Sequence, residues 1–228
     1  MKSTAGTETA KRAAGRRAAE TVPDGARVGL GTGSTAAAAI RALADRDALD
    51  VTCVATSHAS RALAREVGLP LTDLSATATV DVAIDGADQT TPEGALVKGG
   101  GAAHAREKLV AHAADRFLVV VDDTKLADRL THPVPVECLP DAESAVRRAL
   151  RAAGGEPTLR SADRKDGPVV TDNGNLVFDC DFGRIDDPAA LAADLNRLAG
   201  VVEHGLFPHA TDALVVGRDD DTATLREL

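Results

Sequence analysis

A chain of 228 residues, 44% of them hydrophobic, is long enough for one large domain, or a medium domain with a small one, and apolar enough to bury a core. A formal net charge of −9, with no Trp or Tyr and four Phe, argues against nucleic acid as a partner, because phosphate backbones need a basic face and bases need aromatic platforms. Cys53, Cys138 and Cys180 are far apart and form no C-x-x-C pair, which points to a reducing compartment rather than to disulfides or zinc.

The elements alternate over the first 130 or so residues. Residues 8–20 read as a helix, 27–31 as a buried strand, and a helix opens near Thr35. A strand at 51–55 leads into a helix at 57–67. Residues 80–85 form a strand ending in acid, 102–113 a helix, and 117–121 a continuous apolar strand. Unbroken apolar runs suit strands covered on both faces, so this part predicts a parallel α/β sheet. After Pro133 the order becomes strand 134–138, helix 142–152, strands 158–161 and 175–181, helix 188–198 and strand 201–204. That βαββαβ order is ferredoxin-like. Residues 213–217 then supply one more apolar strand, able to rejoin the first sheet. The expected organisation is a Rossmann-like domain of residues 1–131 and 205–228, with an inserted ferredoxin-like α+β domain at 132–204. Residues 1–20 lack the apolar run of a signal peptide, and no stretch has the length and apolarity of a membrane span. The expectation is a cytoplasmic protein with no membrane partner.

Lysine is scarce: it stands at positions 2, 11, 98, 108, 125 and 165, among 26 basic residues. Three of the six fall within candidate motifs. The first motif, GLGTGST at 29–35, follows a strand and opens a helix. Its glycines let the backbone approach an anion, and a helix N-terminus offers N–H groups. It also reads as an ordinary tight turn, and it is a poor dinucleotide fingerprint because Ser34 holds the third glycine's place. The second, DGAD at 85–88, ends a strand with two carboxylates. These could orient sugar hydroxyls, share protons, bind a metal or simply cap a turn; no His or third acid at ligand spacing supports the metal.

The third motif, LVKGGGAAHAREKLV at 96–110, places three glycines beside Lys98, a choice that costs backbone entropy unless a ligand must come close. The helix that follows brings Arg106, Glu107 and Lys108 on its second turn. Glu107 between two cations reads either as a solvated helix face or, beside a glycine loop, as a general base. In DDTK at 122–125, Lys125 at a strand end could reach a phosphate or lie on the surface. TDNGN at 171–175 is a hairpin turn.

Taken together, GLGTGST, DGAD, KGGGAAHAREK, DDTK and TDNGN, in this order and with GVVEHGLF at 200–207, resemble the type A family of ribose-5-phosphate isomerases over essentially the whole chain. The resemblance implies a metal-free, cofactor-free aldose–ketose isomerase of the non-oxidative pentose phosphate route, assembled as a homodimer or homotetramer. It interconverts ribose 5-phosphate and ribulose 5-phosphate through an enediolate. Carried over by position, Thr32, Gly33, Ser34 and Thr35 match a substrate-binding turn. Asp85, Gly86, Ala87 and Asp88 match an acidic turn that contacts sugar hydroxyls and assists ring opening. Lys98 with Gly99, Gly100 and Gly101 matches a loop that polarises the reacting oxygens, Glu107 the base, and Lys125 a substrate-binding lysine. Departures from the family pattern fall at His58, Gln89, His104, Ala105 and Asp123. The rival readings are a nucleotide-dependent oxidoreductase using the 29–33 loop and a non-catalytic sugar-phosphate sensor of similar fold.

Overall fold

In the computed structural model, residues 6–164 and 166–228 are described; Lys2 and Lys165 lie outside them. In chain order the elements are α1 (Glu8–Ala19), β1 (Ala26–Leu30), α2 (Ser34–Ala44), β2 (Val51–Ala55), α3 (His58–Glu66), β3 (Leu71–Thr72), α4 (Leu74–Thr77), β4 (Val82–Asp85), β5 (Gln89–Thr90) and β6 (Leu96–Val97). They continue with α5 (His104–His112), β7 (Phe117–Asp122), β8 (Val134–Cys138), α6 (Glu143–Ala152), β9 (Glu156–Leu159), β10 (Leu176–Asp181), α7 (Pro188–Leu195), β11 (Val201–His204), β12 (Leu206–Phe207), β13 (Ala213–Gly217) and β14 (Ala223–Glu227). Among the described residues the chain divides into two compact units, one holding 6–87 with 106–126 and 210–228, the other 88–105 with 127–209.

The first unit is built on a seven-stranded sheet of order β14-β13-β7-β4-β1-β2-β3. All its pairings are parallel except β13 with β14 at the edge. The strands are apolar along their length because helices cover both faces; Phe117 to Val121 are at most 1% exposed. Strand order runs outward in both directions from the β1–β4 pair. The sheet therefore has its topological switch point where β1 and β4 end, the place where open α/β sheets bind ligands. Alanine lets α1 and α2 pack closely, and a Cβ on Gly15 of α1 would come within 2.5 Å of the Ala39 nitrogen. The predicted return of 213–217 to this sheet holds, in register with β7.

The second unit carries an antiparallel sheet of order β11-β8-β10-β9, with α6 and α7 as the crossovers. In units of the βαββαβ order this is 4-1-3-2, the ferredoxin-like arrangement. A three-stranded sheet, β12-β6-β5, joins the same core: Val97 and Leu206 cluster with Val134, Val136, Phe178 and Leu195. Burial pushes the Cys53 and Cys180 thiols up to about 12 and Cys138 to about 11, so all three thiols behave as small core hydrophobes.

TDNGN is a turn, as expected: the Thr171 N–H donates to Asn175 O, and Gly174 has φ 84°. It also does more than turn the chain. Glu137 on β8 is wholly buried, and its Oε1 accepts from Thr171 Oγ1 at 2.9 Å, Asn173 Nδ2 at 3.0 Å and Asn175 Nδ2 at 2.8 Å. A carboxylate out of water needs such donors, and they need it. Glu137→Ala strands the donors, and urea unfolding should show a loss on the order of 3 kcal/mol. A change below about 1 kcal/mol would mean that water replaces the carboxylate without penalty.

Candidate active site

At the switch point of the first unit, β4 ends in Asp85, which is 3% exposed. Its Oδ1 accepts from the Thr32 N–H at 3.0 Å and the Gly86 N–H at 2.7 Å. This carboxylate lies so close to the β1 loop that a Cβ on Gly31 would sit 2.1 Å from Oδ1. Gly31 is therefore required by a close approach of side chain to backbone, not by its dihedrals. Gly33 is different: φ is 117° and nothing lies near its missing Cβ. It opens α2 without any side-chain cap, so the first N–H groups of that helix are not covered by a capping side chain. Ser34 is exposed at this end and Thr35 half-buried. Thr32 faces the other way; its hydroxyl lies 2.9 Å from Thr56 Oγ1 and donates to Ser57 Oγ at 2.8 Å.

Glu107 is 3% exposed, which removes the solvated-face reading. It lines a tight recess with Asp85, Gly29, Gly31 and Thr56. It belongs to the first turn of α5, not the second. The helix begins at His104 rather than at 102 because Ala102 is held at φ 58°, outside the helical range. Lys125 closes a short 3₁₀ turn, Asp123–Lys125, just past β7. It is 9% exposed, so it is not the surface lysine that its position allowed. The buried Asp122 carboxylate accepts from the Thr124 N–H at 3.1 Å and shapes that turn. Lys11, which sequence reasoning passed over, is also buried, with Nζ 3.0 Å from Glu8 Oε1. Its signal was the scarcity of lysine, since a Lys is almost never buried without a partner or a task.

The second unit holds Asp88, Lys98 and the glycine loop. Lys98 is 2% exposed, and its ammonium lies 5.6 Å from the centroid of the Phe207 ring. Its N–H donates to Gly205 O at 2.8 Å. The glycine loop that follows is tightly held. Gly99 has φ 103°, and a Cβ there would meet His104 Nδ1 at 2.7 Å. The Gly100 N–H donates to Asp88 Oδ2 at 2.7 Å; Gly101 is exposed. Gln89 accepts from the Thr131 and His132 N–H groups at 2.7 and 2.9 Å, so its amide organises a neighbouring bend. Ala87 and Gly86 are half-buried. Among the described residues no cluster of three His, Cys, Asp or Glu could hold a metal, and no helix is long and apolar enough to cross a membrane.

The family model for ribose 5-phosphate isomerase A (phosphoriboisomerase A) matches residues 52–221. The chain belongs to this family. It is 63% identical to ribose-5-phosphate isomerase A of Natronomonas pharaonis, over 96% of this chain and 98% of that one. It is 61% identical to the Haloarcula marismortui protein of the same name, over 98% and 97%. The ribose 5-phosphate isomerase A structure from Methanocaldococcus jannaschii superimposes with a TM-score of 0.93 at 41% identity, covering 98% of this chain and all of that one. A D-ribose-5-phosphate isomerase solved in complex with phospho-erythronic acid gives 0.94 at 38% identity, covering 98% and 100%. The expected fold and family are both found.

The Gly31–Asp85 contact generates a stability test. Gly31→Ala overpacks the site and should cost about 1–3 kcal/mol in urea unfolding. Gly86→Ala, whose Cβ would meet nothing closer than Val120 O at 3.7 Å, should stay within about 0.5 kcal/mol of the parent. Equal effects at the two glycines would refute the close approach.

Proposed function

We propose that this chain is an aldose–ketose isomerase that interconverts ribose 5-phosphate and ribulose 5-phosphate. The observation that carries the reading is the buried Glu107 carboxylate beside Asp85 at the switch point, in a chain of this family. Asp85 and Asp88 contact the sugar hydroxyls and assist ring opening. In the open aldose, Glu107 takes the proton from C2, and charge passes to the oxygen on C1. The Lys98 ammonium and the glycine-loop N–H groups stabilise this enediolate. The hydroxyl proton moves from O2 to O1, and Glu107 returns its proton to C1, completing the ketose. The opening of α2 at Gly33, Ser34 and Thr35, together with Lys125, binds the phosphate: helix N–H groups and hydroxyls supply the donors that an acidic protein needs locally.

Buried thiols near 11 to 12 support the reading that no cysteine acts as nucleophile, and they suit a reducing, cytoplasmic setting. Turnover needs no metal or nucleotide, and the working form is a homodimer or homotetramer. A sugar-phosphate sensor would bind the same ligand, but it has no use for a carboxylate buried at Glu107 or an ammonium buried at Lys98.

Glu107→Gln keeps size and hydrogen-bonding capacity while removing the basic site. In steady-state isomerisation with a chelator present throughout, kcat should fall by about 10²–10⁴-fold while a non-isomerising analogue still binds by calorimetry. Near-normal kcat in a folded, ligand-binding variant would move the base elsewhere, and chelator-sensitive turnover in the parent would overturn the metal-free mechanism. Ser34→Ala combined with Thr35→Val should raise KM far more than it lowers kcat, because phosphate contacts are equally strong in ground and transition states. Unchanged affinity for a phosphate-bearing inhibitor would refute the phosphate assignment.

A further inference from the structure

Arg160 lies just past β9, outside every motif that the sequence singles out. Its side chain is 11% exposed and its fork is set by Asp179 of β10: Nε donates to Oδ2 at 2.9 Å and Nη2 to Oδ1. A bidentate pair of this kind fixes the guanidinium plane. The remaining nitrogen, Nη1, is thereby aimed at the glycine loop. It donates to Gly99 O at 2.9 Å and to Gly100 O at 3.3 Å.

The consequence follows from peptide planarity. In a trans peptide the C=O and the next N–H point in opposite directions within one plane. Holding Gly99 O therefore sets the direction of the Gly100 N–H, and holding Gly100 O sets that of the Gly101 N–H. The Gly100 N–H reaches Asp88 Oδ2 at 2.7 Å. One peptide is thus gripped at both ends, by Arg160 at its oxygen and by Asp88 at its nitrogen. Glycine has no preference that would hold such a loop in one shape; within the loop the Ala102 N–H donates to Gly99 O at 2.9 Å, and Arg160 and Asp88 hold it from outside.

We propose that Arg160 is a positioning residue of the isomerisation. Through the Gly99 and Gly100 carbonyls it orients the Asp88 carboxylate and aims the Gly101 N–H away from itself, at the oxygen where charge develops. The proposal rests on the function given above, in which the loop stabilises the enediolate. Arg160 touches no substrate; it acts through the two peptides.

The test compares Arg160→Met, Arg160→Lys and Asp179→Asn with the parent, each checked for folding by circular dichroism and thermal melting. Three quantities are read: kcat and KM for ribose 5-phosphate, affinity for phospho-erythronic acid, whose carboxylate mimics the charged enediolate, and affinity for ribitol 5-phosphate, which carries no such charge. In Arg160→Met, kcat and phospho-erythronic acid affinity should fall together by about 10²–10³-fold, the loss expected when an oxyanion donor is misplaced. Ribitol 5-phosphate affinity should stay within about threefold. Arg160→Lys keeps the charge but cannot hold Asp179 at two oxygens while reaching two carbonyls, so it should recover only part of the loss. If Arg160→Met does not fold, Asp179→Asn decides on the same readouts, with a kcat loss of about tenfold or more expected from a loosened fork. Near-parent kcat in the folded variants overturns the proposal, as does an equal loss of affinity for both ligands, which marks a purely structural role. Failure of the functional reading is separate: it would appear as absent turnover in the parent chain itself.

Discussion

A charged group withdrawn from water is tolerated only where fixed partners replace the water, and this chain withdraws several of them. Asp85, Lys98, Glu107, Lys125 and Glu137 are each at most 9% exposed. Asp85 is held by two backbone N–H groups, and Glu137 by a hydroxyl and two amides. Those partners come from loops, so a loop that moved away would leave its carboxylate buried without donors.

The parallel sheet makes that burial possible. Its apolar strands are covered on both faces, and only their carboxyl ends are left for polar groups. Where β1 and β4 part direction, the turn after one strand faces the last residue of the other: the Gly31 N–H donates to Ile84 O, and Thr32 to Asp85. Glycine is used here for two separate reasons. Gly31 makes room for a carboxylate, while Gly33 supplies a backbone angle that opens α2. In the other unit Gly205 makes room for a backbone carbonyl, since a Cβ would lie 2.0 Å from Lys98 O.

The two units contribute different chemistry. The doubly wound unit presents helix N–H groups, a carboxylate held by backbone donors, and a second carboxylate in a recess. The ferredoxin-like unit presents a desolvated ammonium over an aromatic ring and a glycine loop whose Gly99 and Gly100 carbonyls accept from Arg160. Under the proposed function, anion binding and proton transfer fall to the first set, and stabilisation of developing charge to the second. That division suits an isomerase, which must move a proton between adjacent carbons without releasing an unstable intermediate.

Hydrophobic period and turn chemistry made the long elements legible: α1, β1, β2, α3, β7, β8, β10, β11 and β13 lie within a few residues of their expected bounds. Two-residue strands such as β3, β5, β6 and β12 carry no period to detect, and β14 is a half-exposed edge without an apolar run. The sequence by itself determined the α/β class, the ferredoxin-like order after Pro133, and the motif residues, because these depend on neighbours along the chain. Only the tertiary structure decided that Glu107 and Lys125 are buried, that α5 starts at His104, and that TDNGN serves Glu137 as well as turning the chain. It alone joined Arg160 to the glycine loop, 60 residues away in sequence. Burial and long-range hydrogen bonds depend on which distant surfaces meet, and no local pattern encodes that.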